Sequence, residues 1–592
     1  MKNYRNQWKP RVVSALLEVV GGGATDESAT DEKIRNEIET ALIVETPPTT
    51  DKGDIAFPMF PFARIARKDP ALIAVSVAEV LQKTLKSGDS DGAEIQSAGP
   101  YVNIFLDRAQ VFADVVNAVL EQGDSYGDSD ALNGVRIMIE FSCPNTNKPL
   151  HLGHLRNDAL GESTARILSA AGADVRKVNL INDRGIHICK SMLAYQTFGG
   201  GATPESTGKK SDHFVGDYYV RYAQWEKDDP AVEGKAQQML KRWEDGDEAT
   251  QQLWLLMNRW AIEGIEQTYR RTGVSFDQTY YESETYRMGR DEIMKGLEAG
   301  VFYRDEAGTV WVDLTDIDLD KKVLLRADGT SLYLTQDIGT AIQRHEDWPF
   351  ERLIYVVASE QRYHFQVLFE VLRRLGKPWA ENLFHLAYGM VNLPDGKMKS
   401  REGTVVDADE LIDELTAMAE KEIRAKGRAE AVGDVTVTAE KIALAALHYY
   451  LLQTGPVKDM IFNPEESLSF TGNTGPYLQY VGARVSSMLR KVAAPETVSA
   501  VKPTTEEEWQ LVHQLAGYPH VVEEAARTYN PALLAGALYD TARVFSRLYH
   551  DHPIAVAKDE AVRESRLALS AAVRNVMQHG LKVLNIPFLE QM

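Results

Sequence analysis

The sequence predicts a multidomain α/β protein: a central parallel-sheet domain split by an insertion, preceded by an α+β module and followed by an all-α bundle. Three observations carry this. Residues 135–183 read as strand, Pro-bearing loop, helix and strand. Val135, Ile137, Ile139 and Phe141 alternate with Arg136, Met138 and Glu140, and a second apolar run, Val175 to Ile181, follows a helix-length stretch closed by Gly172. A right-handed crossover makes those two strands parallel. A second strand-and-helix region, VLLRADGTSLYLTQDIGTAIQRHE and RLIYVVASEQRYHFQVLFEVLRRLG, returns after a charged, Trp-rich stretch. From about 435 to Met592 the chain is a succession of helix-period segments, which predicts a bundle.

Size and composition bound the reading. At 592 residues the chain has room for about four domains of roughly 150 residues each. No apolar run approaches the roughly 20 residues a membrane span needs, and MKNYRNQWKPR has no apolar secretory core. Cys143 and Cys189 are the two cysteines, too few for a disulfide framework, and they point to a reducing, cytoplasmic setting. A net charge of -21 speaks against an overall basic nucleic-acid binder. RNA senses a local basic surface, however, so motifs can outweigh the sum.

Residues 1–130 predict the α+β module. A helical opening precedes Pro47-Pro48, a long helix lies near 70–86, SAGPYVNIFLD reads as a strand, and DRAQVFADVVNAVLEQG reads as an amphipathic helix. Tyr101 and Asn103 read from the residues alone as strand packing, with the polar residue outward. DSYGDSDALNG, 124–134, is a polar connector suited to a domain boundary.

The central domain, 131–410, carries the candidate chemistry. Its loop Ser142 to Pro149 lies at the carboxyl end of the first strand, where open α/β sheets bind ligands. The helix opens with His151-Leu152-Gly153-His154, two imidazoles on one face beside free first-turn N–H groups and the positive helix end. Gly153 leaves space for a flat ring such as a nucleobase. On the residues alone, a surface pair, half a metal site and a phosphate site all remain open. His187 and Cys189 read as packing residues rather than zinc ligands. GGGATPESTGKKS fails the P-loop spacing and reads as a flexible loop.

The insertion spans about 200–320, and its Trp254 and Trp260 fall at helical spacing, which predicts core. Beyond it, Leu332 to Thr335 reads as strand, with Asp337 beginning the next helix. The run Ile354 to Ala358 delivers Glu360, Gln361 and His364 toward the crevice of His151. A loop with Lys397, Lys399 and Arg401 reads either as an exposed basic turn or as a mobile cationic cover for a triphosphate.

Together, EFSCPNTNKPLHLGHLRN, the basic loop and the C-terminal segments GNTGPYLQYVGAR and FSRLYHDHP resemble the class I aminoacyl-tRNA synthetases, and within them the arginyl-tRNA synthetase family. His-Leu-Gly-His stands where that class carries its HIGH signature, and the Lys397–Arg401 loop stands where it carries KMSKS. A gapless match puts the second loop lysine on Ser400. In the arginyl branch a lysine just ahead of the HIGH signature shares that role, and Lys148 occupies the place.

The resemblance implies a Rossmann-type class I catalytic domain and an anticodon-binding bundle over 411–592. It implies activation of L-arginine by ATP, with Mg²⁺ on the nucleotide, and transfer to tRNA(Arg) by a monomer. His151, His154, Lys148, Lys397, Lys399 and Arg401 would serve the phosphates, and Gly153, Gly389 and Met390 would line the ATP site. Glu140, Asn145, Tyr333, Asp337 and Gln361 match the family's arginine-binding positions. Tyr101 and Asn103 would meet the tRNA elbow, while Tyr477, Tyr549 and Met592 would contact the anticodon loop. No protein-held metal is implied. The alternatives are a class I synthetase of other specificity and a non-catalytic RNA-binding paralogue.

Overall fold

A computed structural model describes residues 2–21, 28–45, 47, 49–86, 92–286, 288–327, 332–394 and 406–592. They divide into two compact units, Met1–Tyr126 with Val485–His520 and Asp540–Val576, and Gly127–Arg484 with Val521–Tyr539 and Met577–Met592.

In the first unit, Ile55–Pro58 and Glu94–Ala98 flank Tyr101–Phe105 in an antiparallel sheet. The run expected as one strand is therefore a hairpin. Gly99 takes φ +56°, open to glycine at no steric cost, and sets Ala98 opposite Tyr101. Asn103, expected outward, is buried, and a Cβ added at Gly53 would come within 3.2 Å of its own Cβ, so glycine there lets the chain close over it. The Arg108–Gln122 helix starts at Asp107, whose carboxylate accepts the Ala109 and Gln110 N–H groups. Buried Asp54 accepts the Leu106 N–H at 2.9 Å and the Trp509 indole N–H at 3.0 Å, so a carboxylate pins the sheet to the Glu506–Thr528 helix.

In the second unit five parallel strands lie in the order Leu383–Tyr388, Arg352–Ala358, Arg136–Glu140, Asp174–Ile181, Gln278–Tyr281. The earliest strand sits in the middle. The chain adds strands to one side, then crosses to the other, leaving a topological switch point between Arg136–Glu140 and Arg352–Ala358. Ile137, Met138 and Ile139 are all fully buried, since helices cover both faces.

Gln278–Tyr281 lies inside the stretch read as one insertion. Its QTYY is too short and too polar to announce a strand, yet it pairs with Asp174–Ile181 as the sheet edge. The helices Ile186–Phe198, Ser211–Asp228, Val232–Glu244 and Glu248–Thr272 enclose a separate apolar cluster holding Cys189 and Trp260, with Trp254 against it. Those residues are core, as expected. Within the presumed flexible loop, Pro204–Thr207 forms a helical turn capped by Thr203. Tyr333 is the first residue of the Tyr333–Asp347 helix rather than part of a strand, which places Asp337 inside that helix.

The C-terminal region is helical: Ala408–Ala425, Val435–Leu452, Gly475–Lys491, Glu506–Thr528, Pro531–Asp551 and Glu560–Val583. Among the described residues no helix is long and apolar enough to cross a membrane.

Candidate functional site

The chain leaves the central strand through two successive left-handed residues, Ser142 at φ 72° and Cys143 at φ 49°. Neither is glycine, so surrounding groups must hold the strain. Asn157 Oδ1 accepts the Ser142 N–H at 2.6 Å, Asn179 Oδ1 accepts the Cys143 N–H at 3.0 Å, and Asn182 Nδ2 donates to the Cys143 carbonyl at 2.9 Å. Asn157 Nδ2 also donates to the Val356 carbonyl at 2.8 Å, tying the Leu152–Ala170 helix across the switch point.

At the head of that helix the two imidazoles lie 3.9 Å apart between ring centroids. His151 Nδ1 accepts the Gly153 N–H at 3.1 Å, and His154 Nδ1 accepts the His151 N–H at 3.2 Å. A ring nitrogen that accepts carries no proton, so each neutral imidazole keeps its proton on Nε2. Burial, with the Lys148 charge adding to it, lowers His151 to about 4; burial lowers His154 as well, with His151 and Lys148 adding. Both rings are therefore neutral Nε2–H donors near pH 7.

The expected free N–H groups are occupied. Leu152 donates to the Val406 carbonyl at 2.9 Å, and His154 donates to the His151 carbonyl at 2.8 Å. In the direction a side chain at 153 would take lies the His151 ring, whose Cε1 would be 3.0 Å from an added Cβ. Glycine at 153 lets that imidazole close against the helix head, and the anion-binding groups presented here are Nε2–H donors. Lys148 is half-buried beside them, its pKa lowered by burial.

The residues matched to arginine binding gather around the same strand ends. Glu140 is buried and ion-paired to fully buried Arg344. Asp337 Oδ2 meets His364 Nε2 at 2.6 Å. Burial raises the Glu140 pKa, Arg344 opposes this, and the Asp337 charge adds to it, so the two carboxyls share one field. Tyr333 is 77% exposed at the head of its helix. Asn145 bridges to Asn182, and Gln361 is exposed just before the Arg362–Arg374 helix.

Three groups were not anticipated. Glu282, after the edge strand, is pushed up to about 7 by burial, with Arg184 opposing and Asp183 and Asp337 adding. Asp183 accepts the Ser283 N–H at 2.8 Å and its hydroxyl at 2.7 Å. Arg344 had a sequence signal: it lies seven residues after Asp337 and so shares its helix face. Glu282, in a short polar stretch, had none.

Gly389 and Met390 follow the Leu383–Tyr388 strand at the far side of the crevice. Lys397, Lys399 and Arg401 lie outside the described residues. Leu152 and Ala408 make backbone bonds to Val406 and Leu150, fastening the segment beyond them to the histidine signature.

Asp212, His213 and Asp409 bring ligand atoms within 4.8 Å of one another. Lys210 Nζ already lies 2.8 Å from both carboxylates, so an ammonium fills the cation position. His187 Nδ1 meets the Tyr219 hydroxyl at 3.0 Å, a packing role as expected.

Of the candidate RNA contacts, Tyr101 packs edge-on against Phe60, and Tyr549 is exposed beside Phe545. Tyr477 lies edge-on to Tyr539 at 6.0 Å. Met592 lines a cavity of about 340 Å³ with Ile423, Lys426, Ile442, Phe470 and Tyr480.

Comparison with known proteins follows this geometry. Residues 115–464 match the catalytic domain of class I tRNA synthetases (R), 478–592 match the DALR anticodon binding domain, and 12–106 match the arginyl tRNA synthetase N terminal domain. The arginine–tRNA ligase of Treponema denticola is 55% identical over 560 residues, covering 93% of this chain and 94% of the relative. That of Parabacteroides distasonis is 41% identical, covering 98% of each. The Thermus thermophilus arginyl-tRNA synthetase structure superposes with a TM-score of 0.78 at 26% identity, covering 99% of this chain and 100% of the other. Matches of this length and identity, on a switch-point crevice headed by paired imidazoles, establish that the chain belongs to the arginyl-tRNA synthetase family of class I.

Proposed function

We propose that the chain is an arginine–tRNA ligase. It activates L-arginine with ATP to arginyl-adenylate and pyrophosphate, then passes the arginyl group to the 3′-terminal ribose hydroxyl of tRNA(Arg), releasing AMP. What supports the chemistry is the pair of tautomer-fixed Nε2–H donors on the helix that follows the Glu140 strand, where buried Glu140 feels the Asp337 charge.

The arginine carboxylate attacks the α-phosphorus while the bond to the β-phosphate oxygen breaks, so no protein nucleophile is needed. Charge gathers on the α-phosphoryl oxygens, where His151 and His154 donate. Being neutral, the rings supply hydrogen bonds without forming an ion pair that would trap the product. Lys148 and the loop cations Lys397, Lys399 and Arg401 attend the departing pyrophosphate, and Gly389 and Met390 line the adenine site. Mg²⁺ prefers oxygen ligands, and the donors at the helix head are imidazoles and an ammonium. The ion would accordingly be held by the triphosphate oxygens.

A guanidinium presents five donors in a fixed fork, which converging carboxylates meet where a compact ammonium cannot. Asp337 and Glu282 supply them, Glu140, paired to Arg344, adds its charge near the substrate's charged groups, Tyr333 covers the side chain, and Asn145 and Gln361 hold polar ends. A site of this kind rejects analogues by about 10⁴ or more without editing. For tRNA, Tyr101 serves the elbow on the strand that buried Asn103 helps to pack, Tyr477 and Tyr549 the anticodon loop, and the cavity of Met592 and Tyr480 admits an unstacked base. The chain divides at about 130 and 410 into elbow-contacting, catalytic and anticodon-binding parts and works as a cytoplasmic monomer. Charging of tRNA with each of the twenty amino acids tests the reading: arginine alone should be attached, and charging with another amino acid in its place would overturn it.

A further inference from the structure

Arg156, one turn into the histidine helix, is fully buried. Its Nη1 donates to the Met390 carbonyl at 3.2 Å, and its Nη2 donates to the carbonyls of Pro456 at 3.0 Å and Lys458 at 2.7 Å. The two chain segments it gathers are bonded to each other as well. Gly389 donates to the Pro456 carbonyl at 2.9 Å, Met390 donates to Asp459 Oδ1 at 2.7 Å, and Met460 donates to the Met390 carbonyl at 2.9 Å. Beyond them, Val391–Asn392 and Met460–Ile461 run as a parallel pair. Gly389 lacks a side chain where an added Cβ would lie 2.5 Å from the Asp459 nitrogen, so the strap presses directly on the peptide.

Residues 455–462 follow the Val435–Leu452 helix and close the catalytic-domain match, shortly before the anticodon-binding match begins at 478. A buried guanidinium is costly where packing alone is needed, and an apolar side chain would fill the space. A rigid fork on three carbonyls instead fixes a distance between three segments: the imidazole helix, the Gly389–Met390 peptide and the strap.

We propose that Arg156 is a positioning residue through which the strap leading into the anticodon-binding region sets the adenine-facing peptide against the imidazole pair. This rests on Gly389 and Met390 lining the adenine site. Lysine keeps the charge but loses the fork. Arg156→Lys should therefore raise KM for ATP about tenfold in ATP–pyrophosphate exchange with tRNA present, leaving KM for arginine within about twofold. Asp459→Ala, which frees the Met390 N–H from outside the helix, should give the same split and carries the test if Arg156→Lys does not fold. Equal changes in both KM values, or a fall in melting temperature with neither KM moved, would overturn the proposal. Hydrogen exchange in the unaltered protein separates it from the underlying reading. ATP protection over 386–392 upholds the adenine placement. Its absence overturns that placement and this inference together, whereas protection with an unshifted ATP KM in both variants overturns this inference alone.

Discussion

His364 Nε2 lies 2.6 Å from Asp337 Oδ2, so a residue delivered by one strand end aims the carboxylate presented by the helix of another segment. The carboxylate is held before any guanidinium arrives, which lowers the ordering cost of binding. Asp337→Asn should raise KM for arginine on the order of 100-fold, about 2–3 kcal/mol of charge-assisted hydrogen bonding. KM for ATP should stay within about threefold. Steady-state exchange kinetics in each substrate check this, and equal shifts would count against the assigned role.

Glu282 should make arginine binding depend on pH. Its carboxyl titrates at about 7, pushed up first by burial, and only the ionised form pairs with a guanidinium. KM for arginine should fall about tenfold between pH 6 and 8 as that form fills. Glu282→Gln should flatten the profile; a variant that keeps the slope would exonerate this carboxyl.

Replacing His154 with alanine should slow adenylate formation about 10²- to 10³-fold, the usual loss of one preorganised donor. Single-turnover measurement at saturating arginine would detect it. A collapse of arginine affinity with an unchanged rate would remove the ring from the phosphate.

Asp158 should weaken the fold as alkali is added. Burial, with the Glu162 charge adding to it, pushes it up to about 8, above its value in the unfolded chain. The contribution is fully present below the unfolded pKa and is lost as pH rises through the folded one, at about 1.4 kcal/mol per pH unit between the two. Asp158→Asn, which is uncharged throughout, should gain stability relative to the native chain between pH 6 and 8 in urea titrations. Parallel stability curves for the two proteins would disprove the assignment.

Much of the fold was legible because it depends on periodicity and punctuation. The Arg136–Glu140 strand, the histidine helix and the C-terminal helices announce themselves by apolar spacing. Gln278–Tyr281 did not, since a four-residue edge strand is defined by its neighbour and not by its own pattern. Tyr333 was misplaced because LYLT favours strand locally, while packing of Leu334 and Ile338 into the core favours helix. At the site, Glu140 and Asp337 could be found from motif positions. The pairing of Arg344 with Glu140 and of His364 with Asp337, and the place of the acid Glu282, depend on long-range approach that no local window contains. The tautomers of His151 and His154 were illegible for a similar reason: they follow from which backbone N–H each ring receives.

That reciprocal capping links reactivity to local architecture. The His154 ring uses its lone pair to hold the His151 N–H, and the His151 ring uses its own to hold the Gly153 N–H, the residue before His154. Strong acid, by protonating His151 near pH 4, would therefore remove a brace from the helix head at the moment it added charge beside Lys148. Inactivation on acidification should begin as fraying at this corner while the sheet beneath is still intact.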